Sequence, residues 1–313
     1  MKIIKELSII GAGPAGMAAA IDAENSRIDF ILIEKSEPGW YAKYSINQHY
    51  KVDGYLGFYN SSGDNLVNSF MEHIKSKNIE IKNTEIEAVK YENEMFHLSC
   101  DNGDEIISKY VIIASGTIPR KLYIDGYEEL INKSIFNFVC AGDIDFYNKK
   151  IYVLGGRNSG VTTALFLSDN SDSEITIIEK DKQLNATDKY LERLAKTNVR
   201  ALVDSEVVGV VNGDKLKEII IRTGSKVYSE EADLIFCCIG TKPNFKFVEL
   251  ELQTDSSNRI IVDPLTMETS FKGLYAIGDI NQLLPKQVCN AAANGKTAVY
   301  FINKELQKER KSL

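Results

Sequence analysis

Leu7-Ser8-Ile9-Ile10-Gly11-Ala12-Gly13-Pro14-Ala15-Gly16 decides how this chain folds. A short apolar run reads as a strand, and glycines at G-x-G-x-x-G spacing close it. Small residues suited to a helix follow, Met17-Ala18-Ala19-Ala20-Ile21, and then a second apolar strand, Phe30-Ile31-Leu32-Ile33, ends in Glu34. Strand, glycine turn, helix, strand and acid together spell a βαβ dinucleotide-binding unit. The first glycine permits a tight turn, the second lets backbone approach a pyrophosphate, and the third lets helix and strand pack closely. The helix N-terminus offers unpaired N–H groups and partial positive charge to that diphosphate. Glu34 stands 23 positions beyond Gly11, where an acid accepts ribose hydroxyls.

The order recurs. Ile151-Tyr152-Val153-Leu154 leads into Gly155-Gly156-Arg157-Asn158-Ser159-Gly160, a helix through Ala164-Leu165-Phe166-Leu167, the strand Ile175–Ile178 and Glu179. Two such openings 144 residues apart imply two domains of one type. The expected fold class is α/β, with two Rossmann-like three-layer dinucleotide-binding domains. Tyr110–Ile113 before Ala114-Ser115-Gly116-Thr117 reads as a buried strand, and Leu234–Gly240 is its counterpart in the second unit. Leu274–Asp279 reads as a strand carrying an acid at its end, followed by a helix from about Gln287 to Lys304. No connection is rich in Pro, Gly or Ser, which predicts that the chain crosses between domains in short strands.

The 313 residues suffice for two domains. A net charge of -7 argues against nucleic acid or an anionic membrane as partner, because both are polyanions. No apolar run reaches the roughly 18 residues of a membrane span, and Met1–Leu7 lacks the features of a signal peptide, so the expected location is the cytoplasm. Five cysteines, too scattered for a disulfide framework, and three histidines with no C-x-x-C spacing predict no metal site.

Gly11–Gly16, Ala114-Ser115-Gly116-Thr117-Ile118-Pro119-Arg120, Met267-Glu268-Thr269-Ser270, and Gly278-Asp279 with Lys286-Gln287 resemble the low-molecular-weight thioredoxin reductase family, in order and over nearly the whole chain. The resemblance implies an FAD domain made of residues 1–116 and 246–313, with a second, NAD(P)H-like domain, 117–245, inserted into it. It implies that Gly11, Gly13, Pro14, Ala15, Glu34 and Gly116 hold FAD, with Asp279 on the ribityl or pyrophosphate region. Lys286 joins this set, and Gln287 faces the flavin ring. It also implies a homodimer.

The departures carry as much meaning. Where the family has C-x-x-C, this chain has Cys140-Ala141-Gly142-Asp143, and one thiol cannot cycle between dithiol and disulfide. Cys140 and Asp143 are the catalytic candidates that remain. Cys237 and Cys238 are adjacent in a strand, where alternation sends their side chains to opposite faces, and they read as core. In the second turn (Gly155, Arg157, Asn158, Ser159, Glu179) an arginine replaces the middle glycine. A side chain there obstructs the approach of a diphosphate to backbone, a positive φ would cost it about 1–2 kcal/mol, and the arginine is left to pair with a pyrophosphate that sits differently. Glu179-Lys180-Asp181-Lys182 replaces the family's arginines for a 2′-phosphate, so NADPH is disfavoured and the site is left to NADH, a second FAD or nothing. Trp40, Tyr41, Tyr44 and Tyr55 either stack on a cofactor ring or pack their own loop.

The expected function is FAD-dependent electron transfer by a route other than NADPH to dithiol, with ferredoxin or flavodoxin, NADH or a second flavin as donor. Rival readings are a ferredoxin/flavodoxin–NAD(P) reductase-type enzyme and a non-catalytic flavin-binding protein.

Overall fold

The computed structural model describes residues 1–45, 52, 54–139 and 144–312. It builds the first βαβ opening from strand β1 (Lys2–Ile10), helix α1 (Pro14–Asn25) and strand β2 (Phe30–Glu34). Pro14 opens α1 because a helix's first residue has no use for its N–H, and the ring presets φ. Leu7–Ile10 are all buried, the mark of a strand covered on both faces. Helices α2 (Trp40–Ser45) and α3 (Gly63–Ser76) follow, then β3 (Ile81–Asn83), β4 (Ile86–Glu92), β5 (Met95–Cys100) and β6 (Glu105–Ile113). The sheet runs β3-β2-β1-β6-β5-β4, with β1 parallel to both β2 and β6.

Past β7 (Thr117–Pro119) the pattern starts again. Helix α4 (Tyr127–Leu130), β8 (Ile135–Phe136), β9 (Lys150–Leu154), α5 (Asn158–Asn170), β10 (Glu174–Ile178), α6 (Asp188–Leu194) and β11 (Arg200–Leu202) lead into an antiparallel sheet. That sheet comprises β12 (Ser205–Asn212), β13 (Leu216–Thr223) and β14 (Lys226–Glu231), and β15 (Leu234–Cys237) then completes a parallel sheet ordered β11-β10-β9-β15-β8. The chain returns through β16 (Thr241–Pro243), which pairs with β7, to β17 (Leu274–Ala276), a 3₁₀ turn at Gly278–Ile280, and helix α7 (Val288–Ser312). One compact unit comprises Met1–Ile118 with Lys242–Leu313, and the other is Pro119–Thr241.

The second unit's parallel sheet carries apolar side chains on both faces. Ile151, Val153, Ile177 and Phe236 join Val161 and Leu165 of α5, while Leu154, Ile178 and Ile235 join Val207, Ile219 and Ile221 of the antiparallel sheet. Cys237 belongs to the second cluster and Cys238 packs against the first, so the adjacent thiols face opposite ways as alternation requires. Burial pushes the Cys237 thiol up to about 12, which leaves it protonated and unreactive.

Helix α7 continues eight residues past the expected end at Lys304 because its last turns dock. Leu306 is buried, Tyr110 Oη donates to Glu309 Oε1 at 3.2 Å, and Arg310 donates to Glu6 at 2.8 Å. Earlier in α7, Gly295 faces α1 so closely that a Cβ there would lie 2.4 Å from the Ala15 carbonyl oxygen and 2.9 Å from the Ala19 nitrogen. Both are backbone atoms and cannot swing aside. Gly295→Ala is therefore expected to destabilise the protein by about 1–3 kcal/mol, read as a lower urea midpoint. An unchanged midpoint would mean that the two helices are free to separate. Among the described residues, no helix is long and apolar enough to cross a membrane, and no cluster of His, Cys, Asp and Glu is fit to hold a metal ion.

Candidate functional site

The first glycine turn separates two roles. Gly11 sits at φ +108°, and a Cβ on it would lie 2.5 Å from the Ala114 carbonyl oxygen, so only glycine lets β1 pass β6 there. A Cβ on Gly16 would lie 1.8 Å from the Gly11 oxygen. Gly13 differs: it is extended, at φ -77° and ψ -178°, and its Cβ position has no heavy atom within 4 Å. That open space is room for a ligand to reach backbone. No side chain caps α1, so the first-turn N–H groups at Ala15 and Gly16 remain free of a capping partner. Glu34 is fixed beside them: Ala12 N–H donates to Oε2 at 2.8 Å, and Ser36 N–H donates to Oε1 at 3.0 Å.

The segment after β17 closes on the same turn. Gly278, at φ +75°, is packed so that a Cβ would meet the Ala15 methyl at 3.0 Å, and its N–H donates to Asn294 Oδ1 at 3.3 Å. Burial pushes the Asp279 carboxyl above its ordinary range, while Lys286 and Arg259 pull it back. Burial likewise lowers Lys286 to about 8, with help from Arg259 and against Asp279 and Asp255. The Lys286 ammonium donates to the Asn281 carbonyl, and buried Asn281 donates from Nδ2 to the Ala276 oxygen at 3.0 Å. Gln287 directly precedes α7, its carbonyl accepting the Ala291 N–H at 3.0 Å. Gly116, at φ +59°, lies just beyond β6 with nothing within 4 Å of its Cβ position.

Gly11, Gly13, Pro14, Ala15, Glu34, Gly116 and Asp279 thus lie at or just beyond the C-terminal ends of β1, β2, β6 and β17, neighbours in one sheet, and Lys286 joins them through Asn281 and Asp279, with Gln287 next in the chain. Ligands of open α/β sheets bind outside that edge. Arg259 was not legible in the sequence, since it belongs to no motif and only the fold brings it to Lys286 and Asp279, while Asn281, two residues past Asp279, carried no signal of its own.

The second turn copies the first with one correction. Gly155 takes φ +109°, and a Cβ on it would lie 2.4 Å from the Cys238 carbonyl oxygen. Gly156 N–H donates to Glu179, and Asp181 N–H donates to Glu179 Oε1 at 3.0 Å, as Ala12 and Ser36 do to Glu34. Arg157, however, is extended at φ -90° and ψ -176°, so the strain expected of a non-glycine residue does not arise. The middle position is extended in both turns, and glycine serves there for space alone. Asn158 Oδ1 accepts the Thr187 N–H at 2.8 Å, and Ser159 occupies the first turn of α5.

Cys140 and Asp143 lie outside the described residues. Tyr55 packs on Phe58 and on Phe70 of α3 at centroid distances of 5.2 and 6.3 Å, and Trp40 of α2 on Tyr41 and Tyr44 at 6.2 and 5.8 Å.

The pyridine nucleotide-disulphide oxidoreductase family matches residues 5–295. This chain belongs to that family. Among the family's members it is 30% identical over 305 residues to a 34.2 kDa protein in the rubredoxin operon of Clostridium pasteurianum, covering 96% of each chain. It is 29% identical to the thioredoxin reductase of Rickettsia felis, covering 98% of this chain and all of that one. The crystal structure of Lactococcus lactis thioredoxin reductase (FR conformation) superposes with a TM-score of 0.87 at 27% identity, covering 96% of this chain and 99% of that one. The chain is accordingly an FAD-dependent pyridine nucleotide-disulphide oxidoreductase of thioredoxin-reductase type.

Proposed function

We propose that the first unit holds FAD and passes electrons through it without a dithiol. The residues present fit the cofactor. Gly13 leaves the space a diphosphate needs, the uncapped α1 offers N–H donors and positive dipole, and Glu34 stands ready for ribose hydroxyls. Asp279 would accept ribityl hydroxyls, with Lys286 and Arg259 as its counter-charges. Gln287, just before α7, would lie with that helix's N-terminus at the ring, whose chemistry when bound is to accept and release electrons.

The observation carrying this reading is the repeated tie from turn amide to strand-end carboxylate, Ala12 to Glu34 and Gly156 to Glu179. It supports one ligand chemistry in both turns: an adenosine diphosphate with an unphosphorylated ribose. The second site then takes NADH or a second FAD, and NADPH is disfavoured. Cys140 has no mate at Asp143, and the opposed faces of Cys237 and Cys238 rule out a short bridge between them. The donor is a small carrier such as ferredoxin or flavodoxin, NADH, or that second flavin. The relative described by its rubredoxin operon favours a redox carrier as partner. A homodimer is the expected assembly.

The test counts FAD per chain in purified protein and follows bleaching of the flavin by NADH, NADPH and reduced ferredoxin. Cys140→Ser should be reduced as fast as the wild type, and a loss of about tenfold or more would restore a thiol to the route. Colourless protein that takes up no added flavin would end the reading.

A further inference from the structure

The second turn differs from a 2′-phosphate site in where its cations go. Main-chain pairing of Ser205 N–H with the Glu179 oxygen, at 2.9 Å, starts β12 directly beside the strand-end carboxylate. The next residue, Glu206, gathers the neighbouring positive charge. Lys180 Nζ lies 2.6 Å from Glu206 Oε2, and Arg222, opposite Glu206 in the β12–β13 register, donates from Nε to Oε1 at 3.0 Å. Lys180 and Arg222 in turn hold the Glu206 carboxyl below its ordinary range, so it stays an anion. Lys180, next to Glu179 in the chain, and Arg222 are thereby neutralised.

We propose that Glu206 is a specificity-determining residue of the second nucleotide site. By sequestering Lys180 and Arg222 beside Glu179, it makes the site select an adenosine diphosphate with a free 2′-hydroxyl over one bearing a 2′-phosphate. This rests on reading the second turn as a dinucleotide site. Glu179 accepts the ribose hydroxyls of the preferred ligand, whereas a 2′-phosphate would face two carboxylates with their counter-ions already engaged. Arg157 does not discriminate, because whatever clearance or charge it changes at the turn acts on the diphosphate that both ligands share.

Calorimetric titration of the full-length holoprotein with NADH and NADPH tests this, together with the count of FAD per chain. Wild type should bind NADH about a hundredfold tighter than NADPH. One FAD per chain with NADH bound assigns the free 2′-hydroxyl to a nicotinamide. Two FAD per chain assigns it to a second flavin, and the comparison is then displacement of that flavin by ADP against 2′,5′-ADP. In either arm Glu206→Gln should strengthen the phosphorylated ligand about tenfold, no more because Lys180 is largely exposed and screened, and leave the other within about twofold. Lys180→Met should abolish that gain in the Glu206→Gln background and do nothing alone. Glu206→Ser serves if the glutamine variant melts early. Equal wild-type affinities, binding of neither ligand, or Glu206 variants with unchanged affinity for the phosphorylated ligand would each overturn the proposal. A colourless protein that still prefers NADH would sink the flavin reading and spare this one.

Discussion

Gly11→Val is expected to give a colourless protein that melts well below the wild type, whereas Gly13→Ala should fold normally and bind flavin weakly. The two glycines stand one residue apart in the same motif, but their surroundings are opposite. At Gly11 a β-branched residue meets a backbone of φ +108° and a carbonyl oxygen 2.5 Å from its Cβ. Conformational strain of about 1–2 kcal/mol adds to overpacking of about 1–3 kcal/mol. Together these lower the melting temperature by roughly 10 °C and displace Ala114 from the turn. At Gly13 neither cost exists: φ is -77° and the Cβ position is open. Stability of the cofactor-free Gly13→Ala protein should stay within about 0.5 kcal/mol of wild type. The methyl group nevertheless occupies the space through which a diphosphate reaches the amides, and FAD affinity should fall about tenfold. Calorimetry and FAD titration read the two effects separately. A Gly13→Ala protein that binds FAD as tightly as wild type would mean that no ligand approaches backbone there.

That contrast also marks how far the sequence is readable. The βαβ openings were legible because periodicity and glycine spacing are local: Leu7–Ile10, Pro14 and Glu34 lie where the pattern puts them. The alternation of Cys237 and Cys238 was legible for the same reason. What the motif does not encode is dihedral angle. The expected strain at Arg157 assumed that a position favouring glycine needs a positive φ, while both turns hold it extended and use glycine for clearance. The rest of the site depends on contacts far apart in sequence. Arg259 reaches Asp279 because β17 leads the chain back past its own loop, through Ile260 N–H to Ile280 oxygen at 3.1 Å. Glu206 meets Lys180 only because β12 starts, at Ser205, beside Glu179. Helix α7 outruns Lys304 because its charged last turns dock on Glu6, Lys109 and Tyr110, contacts that no local pattern encodes.

Flavin affinity should decline as pH rises through about 8, and Asp279→Asn should both weaken it and move the decline to lower pH. Lys286 is the group responsible. Burial first, and Arg259 second, bring its ammonium down to about 8, and Asp279 and Asp255 oppose them. An anionic dinucleotide favours the protonated lysine, so the complex keeps its proton at a pH where the free protein has lost it. Binding then takes up a proton above pH 8, and affinity falls as pH climbs. In the cofactor-free protein the sign reverses. A lysine lowered in the folded state costs stability fully below pH 8, and the cost disappears as pH approaches the unfolded value of 10.5. Over that interval this group should make the free protein more stable while FAD binds less well, a divergence that a generally alkali-labile protein would not show. Asp279→Asn removes the carboxylate that raises Lys286 and the acceptor facing the ribityl chain. The midpoint of the decline should therefore drop below that of wild type, and affinity at pH 7 should fall about tenfold to a hundredfold. Lys286→Met should weaken binding about tenfold at pH 7 and flatten the profile between pH 7 and 9. Titration of cofactor-free protein with FAD across that range measures the wild type and both variants, and a flat wild-type profile would remove Lys286 from the binding site.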